Sequence, residues 1–158
     1  MAVVTALKYN HTSALILGQH LSIDNLALML IVETATFSAA HTTIDDVAGA
    51  LTGDPAEREY EVYGNGWAQS GEMVANIASS TIATRNAKMV GDQTAEEATG
   101  GPIGPCRYVL LYDKNLMKPL ILYDLGQNEY AGVSTPFKLT FDLNGSVGTM
   151  FTLQVVDS

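Results

Sequence analysis

Four runs between Arg107 and Val156 constrain the fold more than any other part of the chain. Arg107-Tyr108-Val109-Leu110-Leu111-Tyr112 is apolar and aromatic, and Asp113-Lys114-Asn115 supplies turn residues. Pro119–Leu125 returns as the next strand, with Pro119 at its start, where a missing N–H is tolerated. After a loop over Gly126–Thr135, Phe137, Leu139, Phe141 and Leu143 alternate with Lys138, Thr140 and Asp142, a period of two. Asn144-Gly145 then suits a hairpin turn that needs positive φ at both positions, and Thr149–Val156 completes that hairpin. Strands this close together, on short connections, are antiparallel neighbours. The expected fold is mainly β: a single-domain antiparallel β-sandwich, jelly-roll-like, spanning 1–158, with one or two short helices near the N-terminus.

The preceding residues fit that frame. Leu26–Val32 is an unbroken apolar run of seven residues, far short of the roughly 20 that cross a bilayer as a helix. It reads as a central strand, buried on both faces. Thr12–Gln19 has the signals of one or two helical turns, with Thr12 or Ser13 as cap and Gly18 near the end. Thr42–Val47 is a second short helix, with Thr43 as cap and acids in its first turn. Glu59–Tyr63 alternates, placing Tyr60 and Val62 on one face and Glu59, Glu61 and Tyr63 on the other; Gly64-Asn65-Gly66 ends it. Met73–Ala78 and Thr81–Val90 are two more strands, the second with Ala83, Arg85, Ala87 and Met89 facing one way. Residues 91–105 form an acidic, then Gly/Pro-rich loop, and residues 1–10 an N-terminal arm.

Composition narrows the function. Apolar residues make up 47% of the chain and charged residues only 16%, too apolar for disorder and lean in charge for a free monomer. The net charge of −9, with eight scattered basic residues, argues against direct nucleic-acid binding, which needs Lys and Arg to replace phosphate counterions. Cys106, the only cysteine, excludes an internal disulfide and a multi-thiolate metal site and fits a reducing cytosol. Met1–Thr5 lacks the basic start of a secretory signal, so the expectation is a soluble protein with no membrane partner.

No reactive constellation emerges. His11 and His20 are nine residues apart and off the i, i+4 spacing of a helical metal pair; with His41 they read as exposed loop histidines. Glu59 and Glu61 read as a solvated pair. Ser70 lacks the flanking glycine of a nucleophile elbow, and Cys106 reads as a small buried thiol. No catalytic residue, metal or cofactor is expected. Trp67 and the tyrosines are the other candidates. A sugar-stacking face is conceivable, but Tyr108 and Tyr112 share a strand face with Leu110, as core or subunit-contact residues would.

Read in order, Asn25–Leu30, Gly64-Asn65-Gly66-Trp67-Ala68-Gln69-Ser70-Gly71, Gly104-Pro105-Cys106-Arg107-Tyr108…Tyr112, Lys118–Ile121, Asp124-Leu125-Gly126 and the closing hairpin resemble small structural proteins of tailed-bacteriophage virions. The sequence departs from that pattern at Trp67, where a tyrosine is usual, and at Glu72, which replaces a glycine; 34–55 matches poorly. The resemblance implies a non-enzymatic capsid decoration (cement) protein that bridges shell subunits on the capsid exterior. It implies the major capsid protein as partner, a homo-oligomer (a trimer), and assembly in the host cytoplasm. Alternatives are a tail or head–tail connector protein and a host-surface or carbohydrate-binding module. Trp67, Tyr108, Tyr112 and Tyr123 are the expected subunit or capsid contacts, and residues 1–10 and 91–101 are expected to order on the shell.

Overall fold

The computed structural model describes residues 5–18, 20–21, 23–83, 86–90, 94–139 and 149–154. Within them the chain is mainly β, with antiparallel sheets and two short helices. The main sheet is built around β2 (Leu26–Ile31), every residue of which is buried. It pairs on one side with β8 (Ile103–Asp113), from Leu26↔Asp113 to Ile31↔Tyr108. On the other side it carries two short strands, β3 (Glu61–Val62) and β4 (Glu72–Met73). β9 (Lys118–Ala131) returns beside β8, and β1 (Thr5–Lys8) pairs with β9 at the edge. The β8–β9 turn is fastened by the Asp113 carboxylate, which accepts from the Asn115 and Leu116 N–H groups at 2.9 Å each. That is the local side-chain bonding that suits Asp to turns.

Because β2 is apolar at consecutive positions, it supplies a core on each face of the sheet. Leu26, Leu28 and Leu30 join Val109, Leu111, Ile121 and Tyr123 on the first face. There β10 (Pro136–Leu139), paired with β7 (Thr94–Glu97), adds Phe137 and Leu139, making a second β layer consistent with a sandwich. Ala27, Met29 and Ile31 join Leu110, Tyr112 and Leu122 on the second face, under the irregular segment that carries Ala35, Phe37 and α2 (Asp45–Ala48). A separate sheet runs β11–β6–β5, over Thr149–Gln154, Asn86–Val90 and Ala78–Ala83.

Several expectations change. The single strand expected over Thr81–Val90 is the end of β5 and all of β6, paired with each other. The loop expected over 91–105 contains β7 and the start of β8. β9 runs through Gly126 to Ala131, where a loop was expected. Among the described residues β10 pairs with β7 and β11 with β6, so Phe137–Leu139 and the last strand lie in different sheets. The expected Asn144-Gly145 turn, Phe141, Leu143, Arg85 and Met1–Val4 lie outside the described residues.

The N-terminal arm is also revised. Residues 5–8 form β1, and Tyr9 is fully buried. Beside it the β8–β9 register shifts between Leu111 and Tyr112, and Tyr9 N–H donates to the Leu120 carbonyl at 3.3 Å. His11 Nε2 donates to the Pro119 carbonyl and Thr12 Oγ1 to the Leu120 carbonyl, at 2.7 Å each. Burying those carbonyls unpaired would be costly, so these bonds anchor the segment that opens α1 (Thr12–Leu17). Thr12 therefore faces β9 and does not cap its own helix. At α2 the N-cap position falls on Ile44, one residue past the expected Thr43, and carries no side-chain cap; ahead of it Asp46 N–H donates to Thr43 Oγ1 at 3.4 Å, and the Asp46 carboxylate accepts from Thr42 and Thr43 N–H.

Candidate functional site

The residues that carry the resemblance meet in two places. The first is the loop from Gly64 to Gly71. Gly64 and Trp67 exchange both backbone hydrogen bonds, at 2.8 and 3.1 Å, with Asn65 at φ 54° and Gly66 at φ 111°. This is the Asn-Gly hairpin chemistry expected near the C-terminus, found where the sequence showed only a break. A Cβ at Gly66 would stand 2.2 Å from the Glu97 carbonyl oxygen, so β7 packs directly on the bare backbone. The Asn65 carbonyl accepts from Thr99 N–H at 2.7 Å, and its side chain donates to the Pro102 carbonyl at 2.8 Å. Trp67 then turns inward, edge-on to Phe137 with ring centroids 5.5 Å apart.

The far end of this loop is tied to β3 and β8. Ser70 N–H donates to the Glu61 carboxylate, and Tyr112 Oη donates to the Ser70 carbonyl at 2.6 Å. Glu61 is only 8% exposed, which corrects the expected solvated pair: Glu59 is exposed and Glu61 is not. Burial raises its pKa, opposed by the Ser70 bond and by the charges of Arg58 and Lys114. Burial likewise pushes Tyr112 up to about 12, with Glu61 adding to the shift. Arg58 is buried too, donating to the Asp45 carboxylate and to the Gly49 carbonyl at 2.6 Å. Arg58 Nε and Glu61 Oε2 are buried with no hydrogen-bond partner. Tyr60 packs on the second core and Val62 on the first, so the shared face expected for them does not form; the regular strand here is only two residues long.

The second place is a wide bulge in β9. Between the pairs Tyr108↔Asp124 and Cys106↔Glu129, β9 uses five steps where β8 uses two. Asp124 organises it. Its carboxylate accepts from Arg107 through Nε at 2.6 Å and Nη2 at 3.2 Å, and from Gly126 N–H at 2.7 Å. These bonds, Arg107 first, hold its pKa below the usual carboxylate range. Arg107 also lies over the Tyr108 ring, 5.8 Å from its centroid. Cys106 is buried beside them, its thiol pushed up to about 12 by burial and by Glu129. It is the small buried thiol expected there.

Of the four expected contact residues, Trp67, Tyr112 and Tyr123 are within the core at 2%, 0% and 0% exposure. They cannot present ring faces to a partner or a sugar in this conformation, a correction that leaves Tyr108, half-buried, as the accessible one. The histidines are revised as well: His20 is exposed, while His11 and His41 are half-buried and each stacks with the Tyr9 ring, at 6.2 and 6.5 Å between centroids. Among the described residues no group of three or more His, Cys, Asp or Glu gathers to hold a metal, and no helix is long and apolar enough to cross a membrane. Sequence reading missed Tyr9 and Arg58 and took the buried Glu61 for a solvated carboxylate. Comparison with protein-family models, curated proteins and solved structures finds no match to this chain.

Proposed function

We propose that this chain is a structural component of a tailed-phage virion, a decoration protein that bridges major capsid protein subunits on the outside of the head. One observation carries this reading: the residues that resemble such proteins are tied to one another or to the strands and loops beside them. Arg107 clasps Asp124, Ser70 joins Glu61 to Tyr112, and Asn65 grips Pro102, so their polar groups fix loops onto a sheet. A part that must stay rigid under load requires such interlocking. The buried, apolar sheet with few charges also suits a chain that covers its remaining apolar surface against neighbours. It needs no cofactor, no catalytic group and no nucleic-acid contact.

Deleting the gene tests the proposal. Particles without the protein are expected to lose their DNA at lower temperature or in low salt, and equally robust particles would refute the cement role. Copy number separates the tail or connector alternative: hundreds per particle fit a shell protein, about a dozen or fewer a connector. A glycan platform centred on Trp67 is not proposed, because that ring is buried.

A further inference from the structure

Asparagine stands directly before glycine twice in the chain, and the first pair, Asn65-Gly66, forms the tip of the hairpin that Gly64 and Trp67 close. Such a pair has a chemistry of its own. The glycine backbone nitrogen, unshielded by a Cβ, attacks the asparagine Cγ; the Cγ–Nδ2 bond breaks, ammonia leaves and a succinimide ring remains. Water then opens the ring at one carbonyl or the other. The products are aspartate and isoaspartate, the second with one extra carbon in the main chain. No enzyme or cofactor is needed, only that the Gly66 nitrogen reach Asn65 Cγ. Both residues are exposed, so water has access.

The fold holds the two reacting groups apart. φ is positive at Asn65 (54°) and at Gly66 (111°), and in a two-residue turn of that kind the second nitrogen points away from the preceding side chain. The Asn65 carbonyl accepts from Thr99 N–H at 2.7 Å, which fixes the peptide that carries the Gly66 nitrogen. The Asn65 amide donates to the Pro102 carbonyl at 2.8 Å and lies against the bare Gly101 backbone, where a Cβ would stand 2.8 Å from Nδ2 and 3.0 Å from Cγ. Thr99, Gly101 and Pro102 all belong to the link between β7 and β8. One displacement of that link frees both groups.

We propose that Asn65 is a deamidation site gated by this link. While the link is seated, Asn65 stays an amide; when the link lifts, the succinimide can close and the change is permanent. The product does not reseat. An aspartate has no N–H to give the Pro102 carbonyl and sets a carboxylate against its oxygen. An isoaspartate lengthens a turn that Gly64 and Trp67 close with two backbone hydrogen bonds. The hairpin thus keeps a one-way record of opening. The inference rests on this loop and not on the virion reading, so either can fail without the other.

Peptide mapping by mass during incubation at mildly alkaline pH tests it, since each conversion changes the mass and mapping separates Asn65 from Asn144. In the folded wild type, Asn65 is expected to convert at least about ten-fold more slowly than in the urea-unfolded chain or in a short peptide of the same sequence, because only the open fraction reacts. Gly101→Ala should remove most of that protection: its methyl displaces the Asn65 amide, the free end of a side chain, at a position with no left-handed backbone. Asn65→Asp should speed hydrogen exchange at Thr99 N–H about ten-fold or more. A folded wild type that converts as fast as the peptide, or a folded Gly101→Ala chain that converts no faster than the wild type, would overturn the gate. An Asn65→Asp chain that protects Thr99 as well as the wild type does would overturn the one-way step. The wild-type comparison needs no variant, so it decides even where a substitution fails to fold.

Discussion

On the first face of the main sheet the cover is itself β-structure, and the fit is set by backbone against backbone: Gly66 lies on the Glu97 carbonyl and Gly71 on the Leu28 carbonyl. On the second face the cover is an irregular segment from Ala35 to Ala48 with Tyr9 beside it, and buried polar atoms lie among the apolar ones. Tyr9 Oη, His41 Nδ1, Arg58 Nε and Glu61 Oε2 are all enclosed there without partners; on the first face Trp67 Nε1 is the comparable atom. Buried polar groups left unpaired cost stability in proportion to how well they are sealed from water. The first face thus draws its stability from close packing. The second trades some of it for an array of polar groups that holds loops in position.

If that contrast is right, the largest single loss comes from the first face. Trp67→Ala should destabilise by about 3–5 kcal/mol, since it empties a buried site and removes the edge-on contact with Phe137. Chemical denaturation followed by circular dichroism measures it. A loss below about 1 kcal/mol would mean that Trp67 is not enclosed, and would reopen its role as a surface platform.

Next comes the backbone fit. Gly71 has φ 74°, and a Cβ there would lie 2.3 Å from the Leu28 carbonyl oxygen in the central strand. Gly71→Ala should cost roughly 3 kcal/mol, of which about 1–2 is the left-handed backbone alone. Gly64 is the control: its φ is 92° but nothing lies within 4 Å of its Cβ position, so Gly64→Ala should cost only about 1–2 kcal/mol. Equal losses at the two glycines would show that conformation matters there and packing does not.

These elements were unequally legible in the sequence. β2 was readable because a short, unbroken apolar run allows little else, and β10 because Phe137 and Leu139 alternate with Lys138. β7 was hidden: Thr94-Ala95-Glu96-Glu97 has no apolar face, and its place is set by pairing with β10 some forty residues on. Tyr9 is buried in the second core with its N–H on the distant Leu120 carbonyl, and Glu61 is enclosed beside Ser70 and Tyr112. No local periodicity reports either. The motif at 64–71 was visible as a pattern, but its work on the sheet edge was not.

A smaller effect is expected on the second face from Arg58. Its side chain is 3% exposed, whereas Asp45, its partner, is 54% exposed. Arg58→Ala should cost about 2 kcal/mol, because it strips a buried donor from the Gly49 carbonyl and a positive charge from the surroundings of Glu61. Asp45→Asn should cost less than about 1 kcal/mol, as an exposed carboxylate contributes little to such a pair. Urea denaturation of the two variants decides whether the buried partner dominates.

The smallest effect is the most specific to the second face, and it is a change in pH dependence. Burial raises the pKa of Glu61 above its unfolded value. Its folded form therefore prefers the proton: the stabilisation is fully present below the unfolded pKa and is lost as pH rises through the folded one. Asp124 runs the other way, because Arg107 and Gly126 lower its pKa; its contribution is present above the unfolded value and is lost as pH falls through the folded one. Glu61→Gln keeps an acceptor for Ser70 N–H and removes the titration. The variant should match or exceed the wild type at neutral pH, by less than about 1 kcal/mol, and lose part of the decline that the wild type shows on rising from acid. Asp124→Asn should lose the opposite slope. Unfolding free energies across that range separate the two, and an unchanged slope in Glu61→Gln would place its carboxylate in water and remove the contrast between the faces.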